Sequence, residues 1–416
     1  MERRRVVVTG VGVISPVGND CATAWAAIRE GRSGIRRIEG FDTSKGFDVH
    51  IAGEVRGLDP LKYISKREEK RMDRFVLLTV AAAEEALAQS RLIKDGFDAE
   101  RVGSYVGTGI GGITEIETQH TRLITLGPQL MSALTIPKLM TNAAAGQVSI
   151  RYGFKGPTMS ISSACASSSN AIGEAFDSVR SGVADVQVCG GSEAAVTPMG
   201  VAGFMQLKAL STRNDEPEKA SRPFDKNRDG FVIAEGAAIL VLEELGRAKA
   251  RGAPILGEVV GYGASSDAYH MTLPDQQGSG AARAMRNALA DAGLKPEQIS
   301  YINAHGTGTP AGDVVECQAL RDVFGDYAPE VAVSSTKSIF GHLLGASGAV
   351  ESAVCLCAIR DSLCPPTINL DDVDPGCTGL NLVPNKSQSR TVNVVLNNSF
   401  GFGGHNVCLV FKKFVE

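Results

Sequence analysis

The chain of 416 residues has no apolar run approaching the roughly 20 residues that a membrane-crossing helix needs. It has no excess of positive charge. The formal net charge is −4, so there is no global field to attract nucleic acid, although a local basic patch stays open. It has no cysteine framework: its nine cysteines are an odd set without regular spacing, which favours free thiols in a reducing compartment. Cys355, Cys357 and Cys364 cluster without partners at zinc spacing and read as core residues of a helix and its exit. The basic start MERRR runs into VVVTGVGVISPVG, broken by Gly and Pro and without a small-residue cleavage site. That reads as a first strand and turn, not a signal peptide. No P-loop, H-E-x-x-H or G-x-S-x-G occurs. GTGIGG (Gly107 to Gly112) follows a strand, but a dinucleotide site also needs an acidic residue about 20 positions on, and TLGPQLMSAL supplies none.

What is present is a composition for a large core, 43% hydrophobic and 21% charged. Strand-like runs (RRVVVTGVGVI, RVGSYVGTG, ADVQVCGG, GAAILVLEEL) alternate with helical ones (AWAAIREG, RFVLLTVAAAEEALAQS), an α/β pattern in which helices cover sheets. A weak duplication is visible. RVGSYVGTGIGG pairs with QISYINAHGTGT, TMSISSACASSSNAIGEA with VAVSSTKSIFGHLLGASGAVESAV, and ADVQVCGGSEAA with TVNVVLNNSFGFGG. The second half begins near Gly252–Gly261, and two such halves packed together place equivalent turns face to face.

One turn carries Cys165. PTMSIS alternates as a half-buried strand does, while Ile172, Ala175, Phe176 and Val179 recur at helical spacing. Cys165 therefore stands where a strand becomes a helix, near backbone N–H groups that lack helical partners. A buried cysteine packing as a small hydrophobe is the plain alternative. Two histidines argue against it. His305 in NAHGTGTPAGD and His342 in SSTKSIFGHLLGASGAVES each end a strand-like run, on loops that the duplication sets opposite Cys165. A thiol with histidine partners is a covalent acyl-transfer set. NNSFGFGG (Asn397 to Gly404) adds a turn whose N–H groups suit an oxyanion.

Together with KALSTRNDEPEKASRPFDKNRDGFVIAEGA, SSDAYHMTLP and PPTINL, these stretches resemble the decarboxylating condensing enzymes. Among these they resemble the elongating (type II) β-ketoacyl-(acyl carrier protein) synthases, and the likeness spans nearly the whole chain. It implies a thiolase-like α/β fold, five layers α/β/α/β/α built from two similar halves, residues 1–252 and 253–416. It implies elongation of fatty acids: an acyl chain moves to Cys165 and is condensed with a malonyl group as CO2 leaves. By matching motif, Cys165 is the nucleophile, its thiolate favoured by the helix start. His305 and His342 hold the enolate, Lys337 balances charge with Glu351 nearby, and the N–H groups of Cys165 and Phe402 form the oxyanion hole.

Phe402 also matches a gating aromatic, and Ile110, Thr307, Thr309 and Phe400 match substrate-binding positions. No metal or cofactor is required, although a monovalent cation near Glu351, Asn303 and Asn398 fits the family. The partners implied are acyl carrier protein and a second copy of the chain, not nucleic acid or membrane. The location implied is cytoplasmic in a bacterium, plastid or mitochondrial in a eukaryote. Carrier docking falls to Arg67, Lys70, Arg71 and Lys208. Read as one helix, SKREEKRMDRF puts Arg67, Lys70, Arg71 and Arg74 on one face.

Two residues depart from the common pattern, His405 and Phe340, and bear on substrate preference. Among rivals, a thiolase needs a second cysteine in a C-terminal C-x-G turn, where this chain has GFGG with Cys408 beyond it. A starter-type synthase carries Asn where His342 stands. A non-catalytic chain-length factor lacks the nucleophile.

Overall fold

The computed structural model describes residues 3–416; Met1 and Glu2, the start of the basic run, lie outside the described residues. Ten strands form the frame: β1 (Val6–Ile14), β2 (Val102–Gly107), β3 (Thr158–Ile161), β4 (Val186–Glu193), β5 (Gly236–Glu244), β6 (Gly257–Ser266), β7 (Tyr301–Asn303), β8 (Ala332–Ser334), β9 (Val394–Gly401) and β10 (His405–Lys412). Their order is β8-β7-β9-β10-β6-β1-β5-β4-β2-β3. Only Val6–Val8 against Gly257–Val259 joins the two sides. Outward from that seam, each side runs first, fifth, fourth, second and third strand of its own half. The pairing sense repeats as well, since β2 is parallel to β3 and β4 as β7 is to β8 and β9. The three sequence pairs of the duplication fall at matching places in this order.

Six helices complete five layers. α1 (Arg74–Ser90) and α2 (Ala143–Tyr152) cover one outer face, and α4 (Ser279–Ala292) and α5 (Pro310–Phe324) the other. α3 (Ser167–Arg180) and α6 (Ser347–Asp361) pack together between the sheets.

Glycine facing alanine sets the spacing of the outer layers in both halves. A Cβ on Gly10 or Gly12 would lie 2.1 or 2.0 Å from the carbonyls of Ala86 and Ala82 on α1. A Cβ on Gly261 or Gly263 would lie 2.4 or 2.3 Å from those of Ala288 and Ala284 on α4. The helix backbones thus rest directly on their sheets, and each methylene buried in such contacts contributes about 0.8 kcal/mol.

The small residues around Cys165 have a related purpose. Ser167, Ser168 and Ser169 are fully buried. Ser168 Oγ accepts from the Ala349 N–H at 3.0 Å, and Ser169 Oγ meets Ser399 Oγ at 2.7 Å. They tie α3 to α6 and β9 at a distance that larger side chains would forbid.

The structure departs from the single-helix reading of SKREEKRMDRF. A four-residue helix, Lys66–Glu69, ends at Lys70, and Asp73 caps the new helix α1. The capping box of Ser65 with Glu68 and the Asp73 cap each satisfy free N–H groups, so two helix starts replace one continuous helix. Arg74 leaves the exposed set: its guanidinium holds Glu235 at 2.6 and 2.7 Å and the Val55 carbonyl at 3.1 Å.

Candidate active site

Strand β3 ends at Ile161 and α3 starts at Ser167, so the elbow between them carries Cys165. Ala164 has φ +52°, a left-handed conformation costly for a residue with a Cβ. The Ser163 N–H donates to Ser167 Oγ at 2.9 Å and holds the turn closed. Gly401 packs against this elbow. A Cβ there would lie 2.7 Å from the Ser163 carbonyl and 3.1 Å from the Cys165 nitrogen. That close approach brings the N–H groups of Phe402 and Cys165 toward the sulfur, and both favour its anion.

His342 reaches the same sulfur from the other half, with Nε2 3.0 Å from Cys165 Sγ. Its Nδ1 faces Ser347 Oγ at 3.0 Å, and its ring stands edge-on to Phe231 and to His305, centroids 5.1 and 5.4 Å away. His305 is fixed by its backbone: Glu316 accepts from the N–H groups of His305 and Gly306 at 2.9 and 2.7 Å. The His305 Nδ1 is buried without a protein partner.

Electrostatics keep the site neutral in its resting form. Burial pushes the Cys165 thiol up to about 12, against the pull of Lys337 and of the Phe402 and Cys165 N–H groups; the Glu193 charge adds to the rise. The expected preference for the thiolate is therefore reversed, because burial outweighs the helix start. Burial, then the Lys337 charge, holds both histidines well below the usual imidazole range. Lys337 is itself fully buried and paired with Glu351. Burial pushes that carboxyl up to about 7, opposed by Lys337.

A cavity of about 320 Å³ opens onto these groups. Cys165, His305, His342, Phe400 and Phe402 line it, with Thr307 and Thr309 along its wall and Lys208 at its mouth. The Thr307 and Thr309 hydroxyls lie 3.1 Å apart. Phe402 is half-buried, with the left-handed Gly403 and Gly404 after it, and its ring lies 6.4 Å from that of Phe204.

Ile110 does not line this cavity; it packs in the apolar cluster that holds Cys165 and Leu344. Arg67, Lys70 and Arg71 are exposed and stand apart from the cavity. Phe340 is fully buried in the main core, so it does not face substrate here, and His405 is exposed at the start of β10. Cys408, the residue a thiolase reading would need, is buried in β10 with its Sγ donating to Asn398 Oδ1 at 3.0 Å.

Two carboxylates escaped the sequence reading. Glu316 orders the His305 loop. Glu193 accepts from the N–H groups of Gly109, Ile110 and Gly345 and from Thr108 Oγ1, at 2.7 to 3.1 Å. The N–H groups of GTGIGG thus hold a carboxylate of the chain itself, not a phosphate. The available signal was a Glu closing an otherwise apolar and glycine-rich strand, VQVCGGSE.

The donor set for a cation also shifts. Asn303 Oδ1 and Glu351 Oε2 are buried without hydrogen-bond partners and suit a monovalent ion. Asn398 Oδ1 is taken by Cys408, while Asn397 Oδ1 is free. Among the described residues no cluster of three or more His, Cys, Asp or Glu forms a site for other metals.

A protonated thiol beside a neutral imidazole, with two N–H groups aimed at one point, defines a thiol-dependent acyl-transfer enzyme on a duplicated α/β frame. The chain belongs to the β-ketoacyl synthase family: the family's N-terminal domain matches residues 3–248 and its C-terminal domain residues 256–371. The 3-oxoacyl-[acyl-carrier-protein] synthase 2 of Synechocystis sp. is 50% identical over 414 residues, covering 100% of this chain and 99% of that one. That of Vibrio cholerae is 50% identical over 415 residues, covering 99% and 100%.

Among solved structures, a β-ketoacyl synthase from Burkholderia phymatum superposes with a TM-score of 0.93 at 37% identity, covering 99% and 100% of the two chains. A type II PKS ketosynthase in complex with its acyl-carrier protein gives 0.92 at 35%, again covering 99% and 100%.

Proposed function

We propose that this chain is an elongating 3-oxoacyl-(acyl carrier protein) synthase of fatty acid biosynthesis. The observation that carries the reading is the 3.0 Å contact of His342 Nε2 with Cys165 Sγ inside the shared cavity. In the first half-reaction the thiol proton passes to His342 Nε2 as sulfur attacks the acyl thioester. The N–H groups of Cys165 and Phe402 take the oxyanion, the carrier's sulfur leaves, and His342 returns the proton to it. Acyl-carrier and Cys165 thiol become acyl-Cys165 and free carrier thiol.

In the second half-reaction a malonyl-carrier enters. Its carboxylate leaves as CO2, and the electron pair of the broken C–C bond forms an enolate held by the N–H groups of His305 and His342. The enolate carbon attacks the acyl-Cys165 carbonyl. The C–S bond breaks, giving 3-oxoacyl-carrier, and the Cys165 thiolate takes a proton from solvent, the one proton the overall reaction consumes.

Neutral imidazoles suit both steps. A hydroxyl donates and accepts, so Ser347 accepts from Nδ1–H while Nε2 takes the thiol proton, and donates to Nδ1 once the ring has exchanged its proton with solvent between half-reactions and Nε2–H donates to the enolate. Lys337 keeps both rings neutral at rest, so His342 holds the thiol proton only until the departing carrier sulfur takes it. A monovalent ion held by Asn303, Asn397 and Glu351 would favour the ionised form of the Glu351 carboxylate beside Lys337; the steps themselves run on the side chains named.

The partners in this reading are acyl- and malonyl-loaded acyl carrier protein, met by Arg67, Lys70, Arg71 and Lys208, and a second copy of the chain. Support for the second copy is the outer edge of β3, where Met159 is 44% exposed; Ile150, Ile124 and Ile136 are exposed as well. The halves are taken as 1–252 and 253–416. The location is taken as cytoplasmic; no helix among the described residues is long and apolar enough to cross a membrane.

The test mixes purified protein with acyl-carrier protein and then malonyl-carrier protein. An acyl adduct on Cys165 by intact mass, followed by CO2 release and a 3-oxoacyl product, is expected. No adduct, or an adduct on another residue, overturns the reading.

A further inference from the structure

Cys21 and Cys357 lie far from the cavity, and their sulfurs are 3.8 Å apart. Cys21 begins the helix Cys21–Arg29, and Cys357 lies on α6. Of the nine cysteines, all within the described residues, only Cys21 is not buried. A small cavity of about 10 Å³, lined by Val13, Trp25, Val354 and the two thiols themselves, lies beside the pair. The hydrogen bond between the two thiols, in which either can donate, favours the anion of the acceptor, and Arg360 adds to that effect at Cys357.

A second close pair, Cys317 and Cys377, is wholly buried and offers no entry to a reagent. Neither Cys21 nor Cys357 has any part in condensation.

We propose that Cys21 and Cys357 form a modification site, a dithiol that a hydroperoxide converts to a disulfide. A disulfide needs the sulfurs near 2.05 Å. The 3.8 Å gap closes by rotation of both side chains together with a shift of the two helices toward each other. The Cys357 thiolate attacks one peroxide oxygen and the O–O bond breaks. Hydroxide leaves and takes the Cys21 proton as water, and Cys357 is left as the sulfenic acid. The Cys21 thiolate attacks that sulfur, the S–O bond breaks, and the departing hydroxide becomes a second water with the proton Cys357 gave up earlier. Two thiols and one peroxide yield one disulfide and two waters; the sulfurs lose two electrons and the peroxide gains them.

The link would be felt at the active site through α6. The same helix begins at Ser347, which faces His342, and carries Glu351, which holds Lys337. Trp25 Nε1 already donates to Asp361 Oδ2 at 2.6 Å, so the two helices are pinned at one further point. A covalent tie leaves little slack, and displacement of a catalytic group by about 1 Å can cost about 100-fold in rate.

The experiment treats the full-length protein with hydrogen peroxide under native conditions, in the wild type and in Cys21→Ser. Cys21→Ser exchanges sulfur for oxygen at a partly exposed helix start on the border of the core. The wild type is expected to yield a Cys21–Cys357 linked peptide, short by the mass of two hydrogens and released by dithiothreitol. Condensation should fall about 10-fold and recover with the reductant. Cys21→Ser should form no link, and any loss it shows should be the smaller one that comes from slow oxidation of the protonated Cys165. Absence of the linked peptide overturns the site. A linked peptide with unchanged activity, or an equal reversible loss in Cys21→Ser, overturns its coupling to catalysis.

Discussion

His342 Nε2 and Cys165 Sγ meet at 3.0 Å although 177 positions separate them in the chain. The contact crosses between the halves, and it gives the two histidines unequal tasks. His342→Ala should slow both acylation of Cys165 and release of CO2. His305→Ala should spare acylation and cut CO2 release, by the 10²–10³-fold or so that loss of one oxyanion donor costs. Intact mass reads the first step and labelled CO2 the second; equal effects of both variants on acylation would contradict this division.

Cys165→Ala should remove the adduct and all condensation while leaving the fold intact, since the lost sulfur is one atom in a closely packed elbow. Burial raises the wild-type thiol to about 12. Its alkylation by iodoacetamide should therefore climb about ten-fold per pH unit above neutrality, because only the thiolate reacts. The rise should not level off near the ordinary thiol range of about 8.5. A plateau below pH 9 would place the thiolate in the resting enzyme.

Gly401→Ala tests the oxyanion geometry without touching a catalytic side chain. The new Cβ would meet the Ser163 carbonyl at 2.7 Å, so the turn must retreat and carry the Phe402 N–H with it. Acylation should fall by about 100-fold or more. Gly146→Ala, where nothing lies within 4 Å, is the control and should add about 0.5–1 kcal/mol of helix stability. Equal activity of the two variants would remove the Phe402 N–H from the mechanism.

Phe402→Ala should let malonyl-carrier protein react at an unacylated site, which appears as CO2 release before any acyl adduct. Unchanged loading order would reduce the ring to packing against Phe204.

The basic residues divide by what they touch. Charge reversal at Lys70 and Arg71 should raise KM for carrier protein several-fold in a salt-sensitive way and leave a small acyl-pantetheine substrate unaffected. Arg74→Ala should instead destabilise the protein by about 1–3 kcal/mol, since Glu235 keeps the Val55 N–H but loses its cation. Equal losses with both substrates would make the Lys70–Arg71 patch structural.

Local chemistry was legible in the sequence. Alternation, helical spacing and glycine turns are properties of neighbouring residues, and they marked β1, α1, the elbow at Cys165 and the duplicated order of turns. The placing of His305 and His342 opposite Cys165 also followed, because duplicated halves bring equivalent turns together. Only the tertiary structure decided the rest. Arg74 turned inward because Glu235, 161 positions away, needed a cation; the break at Lys70, by contrast, is local, since Ser65, Glu68 and Asp73 are capping residues of neighbouring sequence. The resting thiol is protonated because burial, a property of the whole packed site, outweighs the helix start that sequence can see. Glu316 gave no signal, and Glu193 only that of a Glu closing a glycine-rich strand, for the same reason: a buried carboxylate takes its meaning from the N–H groups that distant loops bring to it.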